Sequence, residues 1–310
     1  MSDIAKETKV ESPKTRKPGR PPLVRAREPK VKNGIVATPI EEKHVIEFLY
    51  DKPMIFKRTL AFFKLMAVAK VHMVFTKTHI IMYTVDHHKK NHIRVKIRCD
   101  NVDHYYCKKE LDIGLLSKNL ELIMNTIDKN SNGICFLSTV DNSQKNIQII
   151  LKNAFEIEES HKIDLLGEYE KNENDDKFLD DEYMLKFTLK CKYFKKMISD
   201  ILSFSEQVTI RKDSPEDNLV FEYTKSDKKI KSLNIVKNEK AISLQCNLKK
   251  DETFRTSFKI DYVKNISGAL LSENIEIYAD ENKPLKFDIQ MDESVDITIL
   301  TDIIDHRKTL

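Results

Sequence analysis

The side chains in this sequence best suited to binding chemistry are lysines that repeat at helical spacing. After Cys191 the apolar and the cationic residues alternate with the period of an α-helix, so that they fall on opposite faces. The cationic face holds Lys192, Lys195 and Lys196. Ammonium groups arranged in a stripe attract phosphates without reading bases. The pattern therefore predicts either a sequence-independent nucleic-acid contact or a solvated helix surface.

A second segment repeats the arrangement near the start of the folded chain. Lys57 and Lys64 are seven residues apart and share one helical stripe, with Arg58 beside them. Phe56-Lys57-Arg58 matches Phe194-Lys195-Lys196, since each places two adjacent cations after an aromatic residue. The match indicates an internal repeat and favours the nucleic-acid interpretation, because two halves carry the same feature.

Other chemistries find little support in the sequence. Gly-rich phosphate loops and the nucleophile-elbow motif do not occur, and no carboxylate, histidine or cysteine constellation indicates an enzyme. The five cysteines include no C-x-x-C pair, which predicts neither a disulfide framework nor a standard zinc site. Asp86-His87-His88, with His92 and His104, fits no known metal cage. We therefore expect no catalytic residue, no metal and no cofactor.

Charge is distributed unevenly along the chain. Residues 1–40 contain ten Lys or Arg against four acids, a net of +6, whereas the whole chain has a net charge of +4. The remainder is therefore slightly acidic, at −2. No signal peptide or apolar membrane span is recognisable, and the cysteine content is typical of a reducing compartment. We expect an intracellular protein with a basic tail and an acidic body.

Periodicity divides the chain into five parts. Residues 1–42 have few large apolar residues and are rich in Lys, Arg and Pro, which predicts a disordered basic tail. Residues 43–160 and 183–303 each predict strands with two helices, and the acidic stretch 161–182 predicts a linker between them. Residues 304–310 form a C-terminal tail. In the second half the pattern predicts strands up to Asn247, then a helix over Tyr262–Leu271 and three final strands.

Two stretches resemble a known family. Asp103–Leu116, which reads D-H-Y-Y-C-K-K-E-L-D-I-G-L-L, is similar to a segment of eukaryotic DNA sliding clamps of the proliferating cell nuclear antigen type. Ala279–Leu285 resembles the clamp segment near the C-terminus, and the similarity is collinear over about residues 45–302. The N-terminal extension with Pro18-Gly19-Arg20 resembles the clamp-like proteins of large cytoplasmic DNA viruses, the asfarvirus type in particular.

The resemblance implies an α+β DNA-clamp fold of two similar domains, with antiparallel sheets outside and two helices of each domain inside. It further implies a homotrimeric ring that encircles duplex DNA and tethers DNA polymerase and other replication or repair enzymes. Some clamp lysines fall on other residue types here, namely Leu122, Asn125, Asp261 and Gly268. The expected DNA contacts of the folded part are Lys57, Arg58, Lys64, Lys118, Lys192, Lys195, Lys196 and Lys264.

The family also has a pocket for a partner peptide and a strand-to-strand subunit interface. By position, we expect the pocket to be formed by Val85, Ile93, Val95, Leu165, Leu166, Pro284, Ile299 and Leu300, although each of these residues could equally be core. For the interface, the acidic segment 158–165 is expected to pair with the lysine-bearing segment 228–236 of a neighbouring subunit. Ile230 and Leu233 would lie in that interface.

The basic tail offers an alternative function. Arg16 and Lys17 precede a Gly-Arg-Pro core that contains Arg20, and this segment resembles an AT-hook, which binds the narrow A·T minor groove. A nonspecific polycationic arm and a nuclear-localisation signal fit the same residues. The rival functions are therefore a DNA-binding regulator that acts through the tail and a monomeric, non-encircling processivity factor. Each places the protein at sites of DNA replication, in the nucleus or in a cytoplasmic viral factory.

Overall fold

The computed structural model describes residues 40, 43–139, 146–155, 157–166, 182–224, 230–235, 241–250, 252–269 and 271–304, which belong to one compact unit. Its first half runs β1 (His44–Tyr50), α1 (Pro53–Leu65), β2 (Lys70–Phe75), β3 (His79–Val85), β4 (Asn91–Arg98), β5 (His104–Cys107), β6 (Leu111–Leu116), α2 (Ser117–Asn125), β7 (Ser131–Thr139), β8 (Asn146–Asn153) and β9 (Glu158–Asp164).

The second half has the same order of elements. It runs β10 (Leu185–Lys190), α3 (Cys191–Leu202), β11 (Gln207–Lys212), β12 (Leu219–Thr224), β13 (Ile230–Ile235), β14 (Ala241–Cys246), β15 (Phe254–Lys259), α4 (Ile260–Ala269), β16 (Asn274–Ala279), β17 (Leu285–Gln290) and β18 (Val295–Thr301). The protein is thus mixed α+β, with mostly antiparallel sheets and few helices, as the sequence predicts.

Strand β15 is absent from the prediction made on the sequence. Its six residues, F-R-T-S-F-K, bury Phe254, Thr256 and Phe258 on one side, which is the period of two that a half-buried strand requires. The polar Thr256 and Ser257 and the flanking lysines mask this alternation. Pairing with β11 fixes the strand, because Thr256 lies opposite Ile210 in a register that also matches both phenylalanines to β11.

The strands form three antiparallel sheets. A five-stranded sheet has the order β5-β1-β7-β8-β9, and a four-stranded sheet has the order β13-β12-β11-β15. The third sheet has nine strands, β14-β10-β16-β17-β18-β4-β3-β2-β6, and joins the two halves through the pairing of β18 with β4. Ile297 lies opposite Val95 at this junction, and both side chains are buried.

Amphipathic helices cover one side of these sheets. Helix α3 buries Phe194, Met197, Ile198 and Ile201 in the core, which is the apolar face that its sequence predicts. Burial of each such side chain contributes about 1.5–3 kcal/mol. Helix α1 packs against both α2 and α4, and α4 packs against α3. Asn265 on α4 donates a 2.9 Å hydrogen bond to the Leu65 carbonyl at the end of α1, so the helices of the two halves touch.

Candidate nucleic-acid interface and assembly edges

The cationic face of α3 is fully available to a ligand. Lys192, Lys195 and Lys196 are all exposed, on the side of the helix opposite its buried apolar residues. Asp200 is the one acidic residue of the helix. The sequence pattern therefore predicts this arrangement correctly: three ammonium groups project from one helix face.

The cations of α1 differ in their exposure and in the groups that they contact. Arg58 is exposed, whereas Lys57 is half-buried and its Nζ donates a hydrogen bond to the Ile127 carbonyl just beyond α2. Lys64 is exposed but forms an ion pair with Glu121 of α2. The hydrogen bond from Lys64 is the main reason that the pKa of Glu121 lies below its ordinary value. Neighbouring α2 thus partly neutralises the basic face of α1.

Helices α2 and α4 present a nearly neutral surface. Lys118 is exposed on α2, and the exposed apolar side chain of Leu122 lies one turn further along. On α4, Lys264 forms a 2.9 Å ion pair with Asp261. The four helices therefore carry most of their unneutralised positive charge on α1 and α3. Arg16, Lys17 and Arg20 lie outside the described residues.

The residues expected to form the peptide pocket fall on both faces of the nine-stranded sheet. Ile93, Val95 and Ile299 are at most 1% exposed and belong to the main core beneath the sheet. Leu300 faces the other way and packs with Tyr83, forming a small separate cluster on the outer face. Val85 of β3 and Leu300 of β18 lie on the two sides of β4, because each of them is paired with His92. The period of two in a strand separates neighbours such as Ile299 and Leu300 onto opposite faces.

The remaining pocket candidates lie at the borders of this sheet. Leu166 donates a 2.9 Å backbone hydrogen bond to Gly114 of β6, and Leu165 packs against the core. Pro284 is half-buried just before β17. The structure therefore brings Val85 and Leu300 together on one surface, whereas Ile93, Val95 and Ile299 belong to the core in the described structure.

Two strands form sheet edges that carry the expected interface residues. Among the described residues, β9 pairs only with β8, and β13 pairs only with β12. Ile230 at the start of β13 is 70% exposed, whereas Leu233 is half-buried against the core. Beside β9, Phe155 and Ile157 are 73% and 57% exposed. Both edges thus combine unpaired backbone groups with large exposed apolar side chains.

Two of the residues considered as metal ligands, Asp86 and His104, have hydrogen-bond partners within the fold. Asp86 is buried, and its carboxylate accepts hydrogen bonds from the backbone amides of Lys90 and Asn91. Nε2 of His104 donates a 2.8 Å hydrogen bond to Glu47, a fully buried carboxylate that also bonds His44. Over the described ranges, no group of three or more His, Cys, Asp or Glu residues is placed to hold a metal ion.

The β4·β18 pairing could not be predicted from the sequence, because it joins residues about two hundred positions apart. Such a contact leaves no local pattern in the sequence.

No helix in the described part of the chain is long and apolar enough to cross a bilayer.

Comparison with known proteins finds relatives in African swine fever virus. No family model matches the chain. The chain is 27% identical over 285 residues to an uncharacterized protein of African swine fever virus, with 89% of this chain and 94% of the relative covered. The same values hold for the relatives from the Pig/Kenya and Warthog/Namibia isolates and from the Badajoz strain. The similarity agrees with the viral part of the expectation, and the description of these relatives assigns them no function.

Proposed function

We propose that the protein is a sliding clamp, a non-enzymatic processivity factor whose copies assemble head to tail into a ring around duplex DNA. The observation that carries this proposal is the repeated pattern of strand pairing. In the first half β1 pairs with β5 and β7, and in the second half β10 pairs with β14 and β16. Likewise β2 pairs with β3 and β6, as β11 pairs with β12 and β15.

The repeat predicts one further pairing that a single chain cannot make. Strand β4 is joined to β18 within the chain, and the counterparts of these strands are β13 and β9. Each of the two lies at the edge of its own sheet, and β13·β9 pairing between copies would join the four-stranded sheet of one copy to the five-stranded sheet of the next. The product would be a nine-stranded sheet with the same strand order as the one already present in the chain.

Charge and apolar surface on these edges favour such an assembly. Glu158 and Glu159 are exposed on β9, and Lys231 is exposed on β13. Opposite charges stabilise cross-strand pairs, and pairing would cover Ile230 and Ile157. Because the two edges differ, the interface is head-to-tail, and such an interface closes into a ring or continues as a filament. The resemblance to sliding clamps favours a closed trimer.

The helices suggest where DNA would bind. They lie on the side of the nine-stranded sheet opposite the Tyr83–Leu300 cluster, with the lysines of α3 and Arg58 of α1 exposed. In a ring with sheets outside, these cations would face the channel. Contacts to phosphates alone allow sliding, because they are indifferent to base sequence. We expect α1 and α3 to make most contacts, since α2 and α4 are close to neutral.

Two other functions compete with this proposal, a regulator acting through the basic tail and a monomeric processivity factor. Multi-angle light scattering of the purified protein distinguishes the clamp from these two alternatives. The clamp should have three times the monomer mass of 36.2 kDa, and Ile230→Glu should lower that mass. Leu65→Glu is the matched control, because Leu65 is 50% exposed on α1, away from both edges. A monomer at every concentration would contradict the ring.

A second measurement tests encirclement directly. A closed ring that has been loaded on DNA is retained on a circular plasmid and lost when the plasmid is linearised. Ile230→Glu should abolish this difference. Equal retention of the parent protein on circular and linear DNA would mean binding without encirclement.

A further inference from the structure

The strand β4 carries a stripe of basic side chains that the channel does not use. Its inward residues Ile93, Val95 and Ile97 are at most 1% exposed. All outward residues, on the sheet face remote from the helices, are histidine, arginine or lysine and are half-buried. They are His92, Arg94, Lys96 and Arg98.

The geometry of a strand sets the spacing of these groups. Alternate residues of a strand are about 6.6–7 Å apart, so the stripe extends over roughly 20 Å. An extended peptide has the same repeat, and acidic side chains at alternate positions would meet the four basic groups one by one. The stripe is therefore matched in period to an extended chain with every second residue acidic.

The flanking strands leave the stripe positively charged. Strand β3 has no acidic residue, and the only acid on the outward positions of β18 is Asp296, which pairs with Arg98. Lys96 lies opposite Asp296 in the strand register and also interacts with it electrostatically, so one acid faces two of the four basic groups and the stripe keeps a net positive charge. Burial is the main cause of the lowered pKa of His79, and Lys96 and Arg98 lower it further, as expected beside a positive stripe.

We infer that the stripe on β4 binds an extended segment of a protein partner in which acidic residues alternate along the chain. The inference rests on the proposed tethering function, because a ring that holds DNA inside must bind its partners on the outer face. Apolar side chains of the partner would lie beside the stripe, over half-buried Val85 and Ile81 of β3. Charge complementarity at such a surface acts on specificity and association rate.

Single-stranded nucleic acid is the competing ligand, because it also carries charges at regular spacing. Its sequence-tolerant binding relies on aromatic rings that stack on bases. Tyr83, the aromatic residue of β3 nearest the stripe, is only 8% exposed and packs against Leu300. Among the described residues of β3, no aromatic ring beside the stripe is open for stacking, which favours the peptide.

The test uses full-length protein and a fluorescein-labelled peptide of alternating glutamate and threonine, with binding followed by anisotropy. Arg94→Glu with Lys96→Glu should weaken binding about tenfold. The control Lys195→Glu with Lys196→Glu changes the net charge equally on the helix face and should leave peptide binding intact. Circular dichroism checks folding, and Lys96→Gln provides a milder variant in which a smaller loss is expected.

The outcomes separate this inference from the clamp itself. Equal peptide affinity of the parent and the Arg94→Glu, Lys96→Glu variant would overturn it, even if light scattering still shows a ring. Loss of oligothymidine binding instead of peptide binding would identify a nucleic-acid site. Residues 167–181 of the chain contain seven acids and two lysines. If the peptide binds only after these acids are neutralised, that segment is the occupant and the partner inference is wrong.

Discussion

The Tyr50 hydroxyl donates a 2.7 Å hydrogen bond to Oδ2 of Asp292, although the two residues are 242 positions apart. The bond ties the end of β1 in the first half to the turn between β17 and β18 in the second. Lys52 reaches the same carboxylate oxygen at 3.0 Å, and the backbone amides of Ser294 and Val295 bond the other oxygen. The two halves are thus held together by a polar cluster as well as by the β4·β18 pairing.

Replacement of Tyr50 by phenylalanine should weaken this connection without changing the core. The aromatic ring stays packed beside Phe48 and Phe56, and only the hydroxyl is lost. We expect the free energy of unfolding to fall by about 1 kcal/mol, the usual net contribution of one hydrogen bond. Urea denaturation at neutral pH measures the change, and an unchanged midpoint would show that the bond contributes nothing.

The carboxylate of Asp292 predicts a dependence of stability on pH. Burial would raise its pKa, but the hydrogen bonds from Tyr50, Lys52 and the two amides outweigh it, so the pKa lies below its ordinary value. A depressed folded-state pKa contributes stability above the unfolded pKa of about 3.9 and loses it as pH falls through the folded value. The stability lost by Asp292→Asn should therefore be large at neutral pH and shrink below about pH 4. A pH-independent difference would contradict this.

Glu121 on α2 should restrain DNA binding by α1. Its ion pair with Lys64 holds an ammonium group that phosphates would otherwise attract. Glu121→Gln should strengthen duplex binding on all sequences alike and steepen its salt dependence, since one more cation becomes free to release counterions. Lys64→Ala should reverse both effects. Glu216→Gln is a suitable control, because this exposed acid lies between β11 and β12, away from the helices.

The basic tail should add affinity for DNA. Residues 1–40 hold a net charge of +6 and few large apolar residues. Truncation before Lys43 should leave the number of chains per oligomer unchanged, weaken binding to linear duplex and flatten the salt dependence. Comparison of A·T-rich with mixed sequences then tests the AT-hook interpretation, because only a minor-groove contact by Arg20 would make the loss larger on A·T-rich DNA.

The head-to-tail interface makes a prediction that no symmetric dimer shares. Ile230→Glu damages the β13 edge and leaves β9 intact, whereas Ile157→Lys damages the β9 edge and leaves β13 intact. Each variant alone should be monomeric, but a mixture should form a heterodimer through the two intact edges. If the interface instead paired identical edges, the variant in which that edge is intact would still form dimers on its own, and this result would exclude the ring.

The sequence alone was sufficient to predict features that depend on local period and composition. The 3.6-residue repeat in Cys191–Leu202 predicts α3 with its lysines outward, and the charge count separates the tail from the body. Such features follow from backbone geometry within one element. Strand β15 was missed because Thr256 and Ser257 are polar residues, which in a sequence indicate a solvent-facing segment. In the structure both are buried, because β15 pairs with β11.

The tertiary structure decided which residues are neighbours. Ile299 and Leu300 are adjacent in sequence and equally apolar, yet one belongs to the main core and the other to the outer cluster, because β18 is paired with β4 on one side and β17 on the other. Lys57 and Arg58 are adjacent cations, but only Lys57 meets the Ile127 carbonyl. Strand order and side-chain partners are set by contacts between residues far apart in the chain, and no local pattern records them.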